Sequence, residues 1–528
     1  MSAHVDTFVR DNLPAAELWP ELTFTLPGLQ FPKTYNASSM LDAVIARGQS
    51  DNVAIYSDTC ATTYAELIAQ VNRTAHVLTH DFGLVPGNRV LIHASNTQLS
   101  IPLWWGVFRA GGVAVGTMPM LRAHELAVIV NKAQISHAIV DTHRAEELEQ
   151  AQKLAPSLRH IIPTDVLEQR IAHAPDAHAA VATAADEPAL IAFTSGTTGT
   201  PKGCVHFHRD IAAMAETFSR QVLQPKETDI FIGTPPLAFT FGLGAGAVFP
   251  ASVGAATVIC EKPGFDVLTD TIAKHKATTL FTSPTGYRAL LKIYDERLAS
   301  LHTCVSAGEH LPRATSDQWF ERTGIRIVDG IGSTEMIHIF VSARGDTIRP
   351  GATGKAVPGY EATLLNENDQ PFEGEGEGRL AIRGPTGCRY LADDRQRNYV
   401  VNGWNVTGDL YRRDGDGYFW YVARADDMII SSGYNIGAPE VENALLTHGD
   451  VAECAVVGAP DEERGNIVKA FVVLKVGVNA NETTARALQD HVKQTIAPYK
   501  YPRAIEFVAE LPKTHTGKVQ RFKLRESS

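Results

Sequence analysis

Phe193-Thr-Ser-Gly-Thr-Thr-Gly-Thr-Pro-Lys-Gly203 is the stretch from which the rest of the chain can be read. It follows an apolar run, Ala189 to Phe193, with the composition of a buried strand. Gly196, Gly199 and Gly203 let the backbone turn back with its N–H groups facing inward. Thr194, Ser195, Thr197, Thr198 and Thr200 supply hydroxyls, and Lys202 supplies a positive charge. Amides, hydroxyls and a lysine together make a cradle for phosphate oxygens. The spacing is not the Gly-x4-Gly-Lys-Ser/Thr of the P-loop. The competing reading is a plain Gly/Thr surface loop, and motifs elsewhere in the chain decide between the two.

Bulk properties narrow the field. A length of 528 residues suggests about three to four domain-sized units. A hydrophobic content of 44% supports full-sized cores, and a net charge of −11 with no basic run argues against a nucleic-acid partner. Cys60, Cys204, Cys260, Cys304, Cys388 and Cys454 are scattered without metal spacing, so they read as reduced thiols of a cytoplasmic protein. The N-terminus has no secretory h-region. Residues 230 to 260 carry no charged side chain, but Pro235, Pro236, Pro250 and several glycines interrupt the run. A buried strand-loop-helix-strand fits it better than a membrane span.

Along the chain, residues 1 to 40 read as a Pro- and aromatic-rich arm lying on the body. From there to about 162, helices and short apolar strands alternate, the pattern of a parallel sheet covered on both faces. The Ala/His/Asp-rich stretch 172–187 reads as a linker. His206 and His208 read as surface or internally satisfied histidines. Glycines and strands alternate through 350 to 425, which suggests a small β-rich subdomain. Residues 426–528 read as a compact α+β module.

The string 193–203 resembles the nucleotide-binding signature of the acyl-adenylate-forming enzymes, the superfamily of acyl-CoA synthetases, adenylation domains and luciferases. Other segments match that family in order, from about residue 40 to 521. Val305 to Pro312, with Gly308 and Glu309, is similar to the segment whose backbone contacts adenine. Asp329-Gly330-Ile331-Gly332-Ser-Thr334-Glu335 resembles the segment whose threonine bonds the α-phosphate and whose glutamate helps bind Mg²⁺. The family usually has an aromatic at Ile331 to stack on adenine, so contact there becomes aliphatic. Asp409 and Arg424 match the residues that take the ribose hydroxyls, although the glycine that usually precedes the arginine is Ala423 here. Asp426 matches the hinge. The loop 431–436, with Gly433 and Tyr434, resembles the border of the pantetheine tunnel, and Lys518 in Pro-Lys-Thr-His-Thr-Gly-Lys matches the catalytic lysine.

The resemblance implies an α/β protein. A large domain, 1–425, would hold two αβαβα sheet subdomains and the β-rich subdomain, and a small mobile α+β domain, 426–528, would carry Lys518. It also implies ATP, Mg²⁺ and coenzyme A as cofactor and co-substrates, a carboxylic acid as substrate, and room for a homodimer, without nucleic acid or membrane. Phe239, Thr240, Phe241, Gly242, Gly332, His338 and Ile339 would line the acyl pocket. No aspartate lies between Asp229 and Glu261, where amino-acid-activating enzymes hold the substrate ammonium. The motifs look most like benzoate and 2-aminobenzoate CoA ligases. A medium-chain fatty acyl-CoA synthetase and a stand-alone enzyme loading a carrier protein are the alternatives. A non-catalytic scaffold would have lost Lys518, Glu335 or Asp409.

Overall fold

Apolar strands that are buried on both faces need helices on both sides, and the first two-thirds of the chain builds two such sheets. The structure is a computed structural model. It describes every residue except 1, 195–200, 262–263, 432–433, 462–463, 497, 515–516 and 527–528, and the side chains of 426, 430, 434 and 435. In the first sheet the strands run in the order His160–Pro163, His137–Val140, Arg89–His93, Val113–Gly116, Pro188–Thr194 and Lys202–Phe207. All neighbours are parallel except the last pair, which is antiparallel with Phe193 opposite Gly203 and Thr194 opposite Lys202. Lys202 and Gly203 therefore belong to a strand and not to the turn itself. Their run Lys-Gly-Cys-Val-His-Phe closes the sheet edge.

The second sheet has nine strands. Its centre is parallel: Val328–Gly332, Thr303–Ala307, Thr279–Thr282, Ile230–Gly233, Ala256–Val258 and Val53–Tyr56. Antiparallel strands flank it, Ile339–Ser342 and Lys355–Ala356 on one side and Ala61–Thr63 on the other. The uncharged stretch 230–260 supplies two central strands and the helical run between Thr240 and Val253, so its apolarity comes from core burial. Among the described residues no helix is long and apolar enough to cross a membrane. A third, antiparallel sheet spans Glu361–Leu365, Gly376–Arg383, Trp404–Arg413 and Phe419–Arg424, with short strands at its edges.

The last hundred residues form an α+β unit with its own core. Helices Ala438–Leu446 and Glu482–Thr495 cover the strands Val451–Asp461, Gly465–Leu474 and Ala504–Phe507. The stretch 172–187 is less loose than its composition suggests. Thr183 and Glu187 are fully buried, and the Glu187 carboxylate accepts from the backbone N–H groups of His4 and Ala184 at 3.0 and 2.7 Å. The N-terminal arm is pinned in the same way, with Leu22 bridging Gly384 and Thr34 bridging Ala184.

Candidate active site

The stretch 195–200 lies outside the described residues, so Ser195, Gly196, Thr197, Thr198 and Gly199 have no described geometry. Its two flanks, Thr194 and Lys202, sit at the ends of the paired strands. Lys202 Nζ donates to the Tyr390 hydroxyl at 2.9 Å and lies 3.7 Å from Glu335 Oε1. The Tyr390 hydroxyl donates to the same Oε1 at 2.5 Å. Tyr390 is fully buried, and burial together with the neighbouring Glu335 holds its hydroxyl far above the usual phenol range, so it stays protonated. Glu335 thus meets Lys202, the strand residue that flanks the stretch 195–200.

The turn that carries Thr334 and Glu335 is held from two directions. The segment around 389–391 runs beside Lys202–Phe207, with Val205 N–H bonded to the Arg389 carbonyl and Leu391 N–H to the Gly203 carbonyl, both at 2.8 Å. From these two segments three side chains reach three successive carbonyls. His206 Nε2 donates to Thr334 at 2.7 Å, the Cys204 thiol approaches Glu335 at 3.9 Å, and the Thr386 hydroxyl donates to Met336 at 2.9 Å. Ile337 next to them is fully buried with φ +67, a conformation that costs a β-branched residue about 1–3 kcal/mol. The clamp offsets that strain. His206 is buried, not a surface residue, with Nε2 bonded and Nδ1 3.7 Å from Asp210 Oδ2. Burial opposes its charge, but Cys204 and Asp210 alongside outweigh it and raise the imidazole to about 10. Asp210 in turn is held at about 2, against the effect of burial, by Arg389 at 3.0 Å and by His206.

The residues expected around adenine and ribose converge on the same face. Gly308, at φ +90, follows the strand Thr303–Ala307. Glu309 Oε2 accepts from the Thr285 hydroxyl at 2.8 Å, while its Oε1 is buried without a partner among the described residues. Asp329 lies on Val328–Gly332, and burial raises its carboxyl to about 7. Gly330 and Gly332 allow close packing: an added Cβ would meet Ile339 at 2.6 Å and the His338 carbonyl at 2.7 Å. Ile331 packs on the edge of the main core. Asp409 and Arg424 are direct cross-strand partners, with Nη1 3.4 Å from Oδ1. Burial raises the Asp409 carboxyl and Arg424 opposes that rise. Gly408, just before Asp409, has φ +78, and a Cβ there would crowd Arg424 Nη2 at 3.2 Å.

Lys518 reaches this face from the C-terminal unit. Its Cε lies 3.9 Å from the position of a Cβ on Gly308, and Glu309, Asp409 and Glu335 all act on its charge. The cleft encloses it while leaving it open to water, and that enclosure lowers its ammonium pKa. Asn443 Nδ2 meets His310 Nε2 at 3.1 Å across the same boundary. Ala425–Asp427 forms a short helical turn there. Gly433 and the side chains of Asp426 and Tyr434 lie outside what is described.

Several of the residues expected to line the acyl pocket gather around His338. Phe218, Phe241 and Phe249 surround its ring at centroid distances of 5.3, 5.6 and 4.6 Å. Neither ring nitrogen has a hydrogen-bond partner among the described residues, and burial lowers the imidazole to about 3. The helix Thr240–Leu243 supplies Thr240 and Phe241, and Phe239 caps it. A Cβ on Gly242 would lie 2.0 Å from the Pro236 carbonyl oxygen, and one on Gly244 would lie 2.7 Å from the His338 ring, so the segment needs glycines to pack. Ile339 is buried on the adjoining strand.

Sequence reasoning missed Tyr390, Tyr399 and Thr386, and gave His206 no role beyond a surface or internally satisfied histidine. Tyr399 bonds the Ser333 hydroxyl at 3.2 Å. Each stands in an unremarkable local context, and its partner is distant in the chain. Among the described residues no group of three or more His, Cys, Asp or Glu side chains could hold a metal by itself. A single carboxylate, Glu335, suits Mg²⁺, which is commonly held by one or two carboxylates plus substrate phosphates.

The family described as AMP-binding enzyme matches residues 43–390, and the one described as AMP-binding enzyme C-terminal domain matches residues 440–518. The benzoate–CoA ligase of Thauera aromatica is 35% identical over 514 residues, covering 95% of this chain and 98% of its own. The mitochondrial acyl-coenzyme A synthetase ACSM4 of Homo sapiens is 36% identical over 493 residues, covering 88% and 84%. Among solved structures, the anthranilate CoA ligase AuaEII in complex with anthranoyl-AMP aligns with a TM-score of 0.90 at 33% identity, over 95% of this chain and 99% of that one.

Proposed function

The chain belongs to the AMP-binding enzyme family as an AMP-forming acyl-CoA ligase, and from that premise we propose that its acid is aromatic, of the benzoate or 2-aminobenzoate type. The observation that carries this reading is the ring of Phe218, Phe241 and Phe249 about an unpartnered, neutral His338. Aromatic walls suit a flat ring. A neutral imidazole can donate to or accept from an ortho substituent, because its pKa of about 3 keeps it uncharged at neutral pH. The likeness to anthranilate and benzoate CoA ligases supports the same class. A comparable identity to an enzyme named only acyl-coenzyme A synthetase supports a second reading, a medium-chain fatty acid.

In the reaction a carboxylate oxygen attacks the α-phosphorus of ATP, and the bond to the bridging oxygen breaks to release pyrophosphate. The product is an acyl-adenylate, which a coenzyme A thiol attacks at the carbonyl carbon. The thiol proton is lost and AMP leaves. Lys518, Thr334 and the flanks of the 195–200 stretch would stabilise charge on the phosphoryl oxygens. Glu335 would hold Mg²⁺, which when bound neutralises phosphate charge. Asp409 would accept both ribose hydroxyls. The small domain would pivot at Asp426, withdraw Lys518 and admit coenzyme A beside Gly433 and Tyr434.

A pyrophosphate-release screen tests the proposal. Benzoate, 2-aminobenzoate and hydroxybenzoates should give higher kcat/KM than straight-chain acids from butyrate to decanoate. Preference for the straight-chain acids would install the second reading, and no AMP from any acid would overturn both.

A further inference from the structure

We propose that Tyr390 is a positioning residue for the metal: its hydroxyl pins one oxygen of Glu335 and leaves the other to Mg²⁺. The inference rests on the nucleotide-binding role given to Glu335 above. Tyr390 lies 55 residues from Glu335 and 188 from Lys202, yet its hydroxyl is hydrogen-bonded to both. It donates to Glu335 Oε1 at 2.5 Å and accepts from Lys202 Nζ at 2.9 Å. Lys202 reaches the same Oε1 at 3.7 Å, so both neighbours crowd one oxygen. Glu335 Oε2 carries no hydrogen bond among the described residues.

The tyrosine is itself rigid. It is fully buried, its backbone N–H donates to Gln396 Oε1 at 2.9 Å, and its ring packs edge-on to Tyr399 at 5.8 Å. A carboxylate on a turn has free side-chain torsions. Fixing one oxygen removes that freedom before the metal arrives, and preorganisation of this kind tightens binding. Tyr390 also bridges Lys202 and Glu335. The lysine can thus leave for a phosphate oxygen while the carboxylate keeps a donor and does not swing after it.

The test is calorimetric and needs no turnover. A non-hydrolysable ATP analogue with a methylene between its α- and β-phosphorus is titrated into the full chain with and without Mg²⁺. The readout is the factor by which the metal tightens binding. Tyr390→Phe should lower that factor about tenfold or more, the scale of a lost hydrogen bond to a charged group. Glu335→Gln should lower it at least as far, and the double variant should fall no further than Glu335→Gln alone. Replacing the side chain at 390 by 4-aminophenylalanine, which keeps a donor in place, should restore the factor towards wild type, and it also serves if the Phe variant fails to fold. A wild-type factor in Tyr390→Phe overturns the proposal, as do independent, multiplicative losses in the double variant. Wild-type protein that binds no nucleotide would instead sink the functional reading and this proposal with it.

Discussion

Asp329 shows how a single residue can couple the nucleotide site to pH. It is half-buried, its Oδ1 is shut off from water without a partner among the described residues, and its carboxyl is raised to about 7. Below about pH 4 the group is protonated in both the folded and the unfolded chain and carries no linkage. Between about pH 4 and 7 the unfolded chain loses the proton while the folded chain keeps it, so folded stability falls as pH rises, and above about 7 the penalty is constant. Asp329→Asn should therefore gain stability over wild type progressively from pH 4 to 7. Thermal melts across that range check it, and a flat difference would refute it. Arg389 makes a second case. Its ion pair with Asp210 is fully buried, so Arg389→Met takes the nearest cation from a buried carboxylate, leaves it with His206 at 3.7 Å, and should cost about 3 kcal/mol in denaturant unfolding. Residues of the first kind were legible, because Asp329, Asp409 and Lys518 stand in motifs with fixed neighbours. Arg389 and Tyr390 were not. They follow a Gly-Pro-Thr-Gly-Cys run that reads as a loop, and their meaning lies in partners 55 to 188 residues away.

At the scale of elements, strand and helix positions followed the sequence closely because each carries a local signal. His137–Val140 is a short apolar run buried throughout, and Ala145–Leu154 buries Leu148 and Ala151 at helical spacing. The helix Tyr64–His76 opens on a capping box between Thr63 and Glu66. The antiparallel pairing of Lys202–Phe207 had no such signal, since pairing is a tertiary choice, and the clamped turn from Ser333 to Ile339 had none either. These two kinds of element make a controlled comparison. Thr63→Ala should lose about 1 kcal/mol from the lost cap with no change in the KM for ATP. Thr386→Val removes the donor to the Met336 carbonyl and should cost about 1–3 kcal/mol. It should also raise the KM for ATP, because the strained turn carries Thr334 and Glu335. Equal kinetic effects in the two variants would argue that the clamp serves stability alone.

The whole molecule is caught with its C-terminal unit turned so that Lys518 stands at Gly308, among Glu309, Asp409 and Glu335. The sequence could not reveal that orientation, since motifs are the same whichever way the unit faces. An ammonium in that position can act on phosphoryl charge, which suits the first half-reaction of the proposed mechanism. Lys518→Ala should therefore slow pyrophosphate release by roughly 10²–10³, the scale of one lost preorganised donor. It should leave thioester formation from preformed acyl-adenylate far less affected. Holding the units together separates the same steps from the other side. His310→Cys and Asn443→Cys, joined by a short bifunctional thiol reagent across the 3.1 Å side-chain contact, should keep adenylate formation. They should lose thioester formation by about tenfold or more, because a locked closure cannot admit the second substrate. Cleaving the cross-link should restore it. The exposed Cys60 must first be replaced so that the reagent finds the intended pair. Unimpaired thioester formation in the locked protein would mean that coenzyme A reaches the adenylate without rotation, and the two-step use of one site would have to be abandoned.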